Sequence, residues 1–232
     1  MSGWPAVETR ALVKLFGATP ALLRVDLTVP RGSVCAVVGG NGAGKSTLLR
    51  VLATVVRPTS GAAWVNGRNV VAEADDVRRC VDLLPATGGL YAELSAVENL
   101  RFALQMRGVA ATRSELLASL TRVGLGPVAD DRAGTYSTGM LRRLGLARVR
   151  LTAAPVLLLD EPYGGLDEEG RQLVDELLAV APAAARTVIV ATHERDRVCA
   201  VADRVERLDR GVVVPVAAPP RAATADMPRA AA

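Results

Sequence analysis

Lysine is almost missing from this 232-residue chain: of its 28 basic side chains only Lys14 and Lys45 are lysine, and the rest are arginine. Histidine occurs once, at His193, and glutamine twice, at Gln105 and Gln172. Aromatic residues make up 3% of the sequence. A nucleic-acid surface needs rings to stack bases beside a concentrated basic face. With rings this scarce and the basic residues spread along the chain, no nucleic-acid partner is expected despite a net charge of +4. The arginines read as a solvated surface, and any that faced an anionic membrane would each contribute on the order of 1 kcal/mol.

Cysteine is scarce as well. Cys35, Cys80 and Cys199 are odd in number, far apart and without a C-x-x-C pair, which excludes a disulfide framework and a zinc site and leaves buried thiols. No apolar run approaches the roughly 18 residues of a membrane span. The start, Met1-Ser2-Gly3-Trp4-Pro5, has no basic segment leading into an apolar one, so a cytoplasmic location is expected. What the chain does have is 50% hydrophobic and 22% charged residues, enough for one substantial core and too apolar for a disordered chain.

One of the two lysines sits in Gly39 to Thr47, GGNGAGKST, which fits the P-loop pattern G-x-x-x-x-G-K-[ST] through Gly39, Gly44, Lys45 and Ser46. An apolar strand, Val34 to Val38, precedes it and a helical run from Ser46 follows. A glycine turn that opens a helix aims several backbone amides at one point, and the helix N-terminus adds partial positive charge there. The pattern therefore predicts a phosphate site, with Lys45 reaching the β and γ phosphates and the Ser46 hydroxyl available to magnesium. An ammonium kept in so arginine-rich a chain fits this reading, because a planar guanidinium does not replace a compact charge inside a loop wrapped round phosphate.

Before the loop the chain reads as short strands, 11–16, 22–29 and 33–38, forming hairpin strands that lead into it. After it comes a strand over 62–65 capped by the hairpin signal Asn66-Gly67. A short helix follows around 75–79, then an apolar segment over 81–84. From Ser95 the period becomes helical: Ser95-x-x-Glu98 is a capping box, and Val97, Leu100, Phe102, Ala103, Leu104 and Met106 form an apolar face. A second helix, 114–123, stops at Gly124, and residues 95 to about 153 read as a helical insertion in an α/β chain. Strands at 156–159, 187–191 and 204–208, separated by helices near 168–180 and 196–202, give the alternation of a parallel sheet.

Two carboxylates, Asp160 and Glu161, end the buried strand VLLL, where open α/β sheets place ligands. Beside a P-loop this pair reads as a Walker B motif, Asp160 for magnesium and Glu161 to orient and deprotonate water. His193 follows another predicted strand of the same sheet, where it could reach a γ-phosphate, though a lone histidine is more often structural than catalytic. Tyr136-Ser137-Thr138-Gly139-Met140 opens a basic helical run, for which helix capping by Ser137 would suffice.

Together these segments, from about Val7 to Val214, resemble the ATP-binding-cassette (ABC) ATPases. GGNGAGKST is similar to their Walker A, YSTGM to their signature motif, VLLLDE to Walker B, Gly164-Gly165-Leu166-Asp167 to the D-loop, and His193 to the switch histidine. The resemblance implies an α/β fold: a P-loop NTPase, RecA-like core with an N-terminal antiparallel β subdomain and a helical subdomain. It places an ABC ATPase domain at 5–214, its helical subdomain at about 95–153, and a flexible Ala/Pro-rich tail at 215–232. It implies ATP and Mg2+ as cofactors, held by Gly39, Asn41, Gly42, Gly44, Lys45, Ser46 and Thr47, with Phe16 stacked on adenine and Ser46 and Asp160 on the metal. Catalysis falls to Glu161 and His193.

By the same resemblance cassettes pair head to tail as a homodimer in the ATP-bound state. Ser137 and Gly139 of one copy, with Asp167 of the D-loop, then close on the nucleotide of the other. A transmembrane permease would be the further partner, with the chain peripheral on the cytoplasmic face of the cell membrane. Within the family the chain looks most like small bacterial exporter cassettes, those of haem export in cytochrome c maturation among them. A soluble ABC ATPase and a weakly hydrolysing regulatory subunit stay open as alternatives. One departure favours the latter: the Q-loop falls at Pro85-Ala86-Thr87, with Ala86 where the family has glutamine.

Overall fold

The computed structural model describes residues 4–214. The expected tail at 215–232 lies outside the described residues.

Two sheets organise the chain. The first, antiparallel, has the order β2-β1-β4-β5 and is built from β1 (Val7–Phe16), β2 (Thr19–Val29), β4 (Ser60–Val65) and β5 (Arg68–Asn69). Its last hairpin turns at Asn66-Gly67, where φ is 51° and 81°. These left-handed values are what a two-residue hairpin turn requires, and asparagine and glycine tolerate them best.

The second sheet runs β10-β9-β3-β8-β7-β6, from β3 (Val34–Val38), β6 (Val81–Leu84), β7 (Val156–Asp160), β8 (Thr187–Thr192), β9 (Arg204–Asp209) and β10 (Val212–Val214). Only the β9–β10 edge is antiparallel. Two details depart from the sequence reading. The strand before the phosphate loop leaves the hairpin sheet and pairs in parallel with β8 and β9, because its residues are buried on both faces and suit a covered parallel sheet. The short edge strand β10 was not anticipated.

Every residue of β3, β7 and β8 is buried. Their side chains alternate between two cores. Val34, Ala36, Val38, Leu157, Leu159, Val188 and Val190 face the helical side. Cys35, Val37, Val156, Leu158, Ile189 and Ala191 face the antiparallel sheet and helix α1 (Lys45–Leu52). Each fully buried Val, Leu or Ile contributes on the order of 1.5–3 kcal/mol, so burial on both faces strongly favours this layering.

The helical side comprises α3 (Ala96–Gln105), α4 (Arg113–Arg122), α5 (Thr138–Leu151) and α6 (Glu168–Val180); the short α2 (Ala74–Cys80) and α7 (Arg195–Cys199) complete the set. Val97, Leu100 and Leu104 of α3 are buried, whereas Phe102 and Met106 are exposed. The inward face of α3 is therefore narrower than the run of apolar letters suggests.

Of the cysteines only Cys35 is fully buried, and burial raises its thiol to about 12. Cys80 and Cys199 are partly exposed. Nor are the arginines all solvated. Arg142, Arg143, Arg148, Arg150 and Arg186 are partly buried, and each donates to a backbone carbonyl.

Ser95 caps α3 as its spacing implies: its hydroxyl accepts from the Glu98 amide at 3.2 Å, and Glu98 accepts from the Ser95 amide at 2.8 Å. Thr112 and Glu115 make a second capping box at α4. The Ser95 amide, then its hydroxyl, holds the Glu98 carboxyl below its ordinary range. A depressed carboxyl contributes stability that is complete above its unfolded pKa of about 4.3 and is lost as pH falls through the lower folded value. Glu98→Gln removes that titration, so its melting temperature should fall less steeply below about pH 4.3 than that of the unaltered protein. Ser95→Ala should cost about 1 kcal/mol at neutral pH, measured by denaturant unfolding.

Candidate functional site

Strands β3, β8 and β7 end level with one another. Val38 pairs with Thr192 and Asp160 with Ala191, so Gly39, His193 and Glu161 leave the sheet side by side. This register brings together residues that lie far apart in sequence.

Helix α1 starts at Lys45 with Gly44 as its N-cap, and no side chain caps it. Its first-turn amides are the free donors an anion would satisfy. The loop needs its glycines for different reasons. A Cβ on Gly39 would stand 2.2 Å from the Leu208 carbonyl oxygen, and one on Gly44 2.4 Å from that of Ala21. Gly42 has open space around it but a φ of +76°, which side chains rarely adopt. Asn41 and Gly42 are exposed at the tip, and Thr47 is half-buried in the first helical turn.

Lys45 is buried, 6% exposed, and turns back over the loop. Its Nζ donates to the Gly39 and Gly40 carbonyls at 2.8 and 3.2 Å and lies 3.3 Å from Glu161 Oε1. The other carboxylate oxygen, Glu161 Oε2, is gripped by three groups: the Thr192 hydroxyl at 3.2 Å, the His193 amide at 3.3 Å and His193 Nδ1 at 2.9 Å. Glu161 itself has a φ of +47°. That left-handed conformation costs a non-glycine residue roughly 1–2 kcal/mol, and here the Glu161 amide is tied to the Ala191 carbonyl at 2.8 Å.

Asp160 is 1% exposed and accepts from Ser46 Oγ at 2.9 Å. Burial raises its pKa, and the Ser46 hydroxyl and the Ala86 amide oppose that rise. A carboxylate beside a hydroxyl forms a hard-oxygen donor set, the kind a magnesium ion takes. The uncapped helix start with a buried ammonium likewise fits a polyphosphate.

The remaining expected residues form a second group. Ser137 is exposed and caps α5, its hydroxyl accepting from the Met140 amide at 3.2 Å. A Cβ on Gly139 would lie 3.0 Å from the Gly165 carbonyl oxygen, so the signature and D-loop segments touch. Asp167 caps α6 through the Gly170 amide and pairs with Arg143 at 2.7 Å. Among the described residues, no hydrogen bond of Ser137, Gly139 or Asp167 reaches the phosphate loop. Phe16 is exposed, with Lys14 Nζ 4.8 Å from its ring centroid. It stands at the end of the β1–β2 hairpin, the end from which Ala21 meets Gly44.

Sequence reasoning missed Thr192 and Arg142. Thr192 had a signal, since it continues the β8 strand up to His193. Arg142 had none beyond its basic helix: it donates to the Pro85 carbonyl at 2.7 Å and to the Ala86 carbonyl, 56 residues away in sequence.

Comparison with known proteins agrees with this geometry. The family model described as "ABC transporter" matches residues 22–164. A daunorubicin/doxorubicin resistance ATP-binding protein of Streptomyces peucetius is 37% identical over 90% of this chain, which spans 64% of that relative's length. A cytochrome c biogenesis ATP-binding export protein of Cupriavidus metallidurans is 37% identical over 82% of this chain and 90% of its own. Among solved structures, the ATP-binding subunit of an ABC transporter superposes with a TM-score of 0.83 at 27% identity, covering 90% of this chain and 88% of that one. An ATP-binding cassette solved as a dimer with ADP and Pi superposes at 0.82 and 25%, covering 89% of this chain and 96% of that one. With a P-loop, a carboxylate pair and a histidine converging at the ends of three parallel strands, the chain belongs to the ABC transporter family, as its ATP-binding, P-loop ATPase component.

Proposed function

We propose that this cassette binds ATP with magnesium and hydrolyses it to energise export through a separate transmembrane permease, working as a homodimer peripheral to the cytoplasmic face of the cell membrane. The observation that carries the reading is the convergence of Lys45, Ser46, Asp160, Glu161, Thr192 and His193 at the C-terminal ends of β3, β7 and β8. The cassette proper is assigned to residues 5–214, with its helical subdomain at about 95–153.

Residues 39–47 cradle the phosphates through backbone amides. Ser46 and Asp160 would hold magnesium, which supplies charge neutralisation on the phosphate oxygens when bound. Lys45 is satisfied by two loop carbonyls and Glu161. An entering phosphate competes for that ammonium and leaves Glu161 Oε1 free to accept a proton from water. The opposite oxygen stays fixed by Thr192 and His193, so the base is oriented before it acts. His193, 60% exposed, can turn from Glu161 toward a γ-phosphate. Phe16 provides an exposed face for adenine, while Ser137, Gly139 and Asp167 would complete the site of a second copy.

Export is supported by the name of the cytochrome c biogenesis export protein, and transport by that of a lantibiotic transport protein of Streptococcus pyogenes at 32% identity. A methionine import protein of Brucella abortus at 33% shows that cassette likeness alone does not set direction. Haem export in cytochrome c maturation is the specific cargo reading that the biogenesis relative supports. Ala86 favours a second reading, a weakly hydrolysing regulatory subunit.

Glu161→Gln keeps size and most contacts but cannot take a proton. ATP turnover should fall by roughly 10²–10⁴ while ATP binding and ATP-dependent dimers persist; unchanged turnover would remove Glu161 from the role of base. Fractionation with detergent-solubilised membranes should recover the chain with a multi-span partner. A protein confined to the soluble fraction would instead favour an ABC ATPase without a transport role.

A further inference from the structure

Two helices leave the candidate site from neighbouring points. Helix α6 starts at Glu168, directly after Asp167 of the D-loop segment, and α7 starts at Arg195, two residues after His193. Each sends an arginine to the start of the other. Arg171 of α6 places Nη1 3.1 Å from Oε2 of Glu194, the residue before α7, while its Nε donates to the Leu166 carbonyl at 3.3 Å. Arg197 of α7 reaches the Glu168 carboxylate with both terminal nitrogens, at 3.1 and 3.0 Å, and Asp175 with Nε and Nη2 at 2.9 and 2.6 Å. The buried Tyr163 donates its hydroxyl to the other oxygen of Asp175 at 2.9 Å.

The crossing at Glu194 leads to Glu161. The Glu194 amide donates to Thr192 Oγ1 at 3.1 Å, and the Thr192 hydroxyl donates in turn to Glu161 Oε2 at 3.2 Å. His193 adds its amide and Nδ1 on the same oxygen, at 3.3 and 2.9 Å. A carboxylate oxygen only accepts, so Nδ1 carries the hydrogen of this contact. All three groups on Glu161 Oε2 thus come from the turn Thr192-His193-Glu194, and Arg171 anchors the far end of that turn. Glu161 stands in a left-handed conformation that its own backbone disfavours, so its orientation depends on what grips it. A guanidinium presents several donors in one plane, which lets Arg171 hold Leu166 and Glu194 together.

We propose that Arg171 is a positioning residue for the catalytic base: through Glu194 it fixes the turn from which Thr192 and His193 hold Glu161 Oε2. The proposal rests on the reading of Glu161 as that base. The same guanidinium ties the turn to Leu166, so the D-loop segment and the grip on Glu161 move together.

The test uses the untagged full chain with Arg171→Met, Arg171→Lys, Glu194→Ala and the double variant Arg171→Met/Glu194→Ala. His193 is the only histidine in the sequence, so its ring gives a single pair of nitrogen resonances, whose shifts tell which nitrogen is protonated. Without nucleotide, at about pH 8, the unaltered chain should show Nδ1–H, and Arg171→Met a mixture of both tautomers. In ATP hydrolysis Arg171→Met should lower kcat about 10–100-fold. KM for ATP should stay within about twofold, because the phosphate loop is untouched. Glu194→Ala should match Arg171→Met, the double variant should lose no more than either alone, and Arg171→Lys should recover part of kcat. An unchanged tautomer and kcat in Arg171→Met would overturn the proposal, as would losses that multiply in the double variant or a raised KM at unchanged kcat. Should Arg171→Met fail to fold, Arg171→Lys and Glu194→Ala decide by the same readouts. Failure of Glu161 as base would show separately, as unaltered turnover in Glu161→Gln. The nucleotide-free His193 resonances then still decide whether Arg171 holds the turn.

Discussion

The parallel register of β3, β8 and β7 is the constraint on which everything else depends. Val38 opposite Thr192 and Asp160 opposite Ala191 put three strand ends on one line. A slip of one residue would turn every side chain of a strand to its other face. For β7 it would drive the Asp160 carboxylate away from Ser46 and place Leu159 there instead. The register is well defended, because both faces are buried and each strand divides its side chains between two cores. The site therefore inherits its precision from the apolar interior.

That interior also explains the basic composition. Arginine does interior work here: Arg142, Arg148 and Arg150 of α5 bind carbonyls of the loop after β6, of β6 and of α6, and Arg186 binds the Ala154 and Val149 carbonyls at 2.9 and 2.8 Å. A guanidinium keeps its charge when half-buried and satisfies several acceptors in one plane, so it can join elements at their backbones. Lys45 stands where one compact charge must change partners. Lys45 has two loop carbonyls and a carboxylate within 3.3 Å, all of them ligands that a phosphate can displace.

What the sequence made legible follows the same division. The phosphate loop, the Asp160-Glu161 pair and the Ser95 cap are written in short contiguous patterns, because each depends on local backbone chemistry. The chain order of strands and helices was readable for the same reason. Sheet membership was not: nothing local to Val34–Val38 tells that it joins β8, about 150 residues on, rather than the adjacent hairpin. The grip of Thr192 on Glu161 and of Arg142 on Ala86 arises only when the topology brings distant segments together. The second capping box, Thr112 with Glu115, has the spacing of the first but was not read from the sequence, and the short edge strand β10 was too brief for any periodicity.

Helix α5 has unequal ends in the proposed dimer. At its N-terminus, Ser137 is exposed and its hydroxyl oxygen accepts from the Met140 amide, which leaves its O–H free to donate to a second copy's phosphate beside the positive end of the helix. Five residues on, about 7.5 Å along the axis, Arg142 fastens the helix to the Pro85 and Ala86 carbonyls in the loop after β6. A helix is stiff over that distance, and the Gly139–Gly165 approach and the Arg143–Asp167 pair brace the same end. In a head-to-tail pair, a push delivered at the Ser137 end by a neighbour's phosphate would therefore be passed to the loop after β6, with little slack to absorb it.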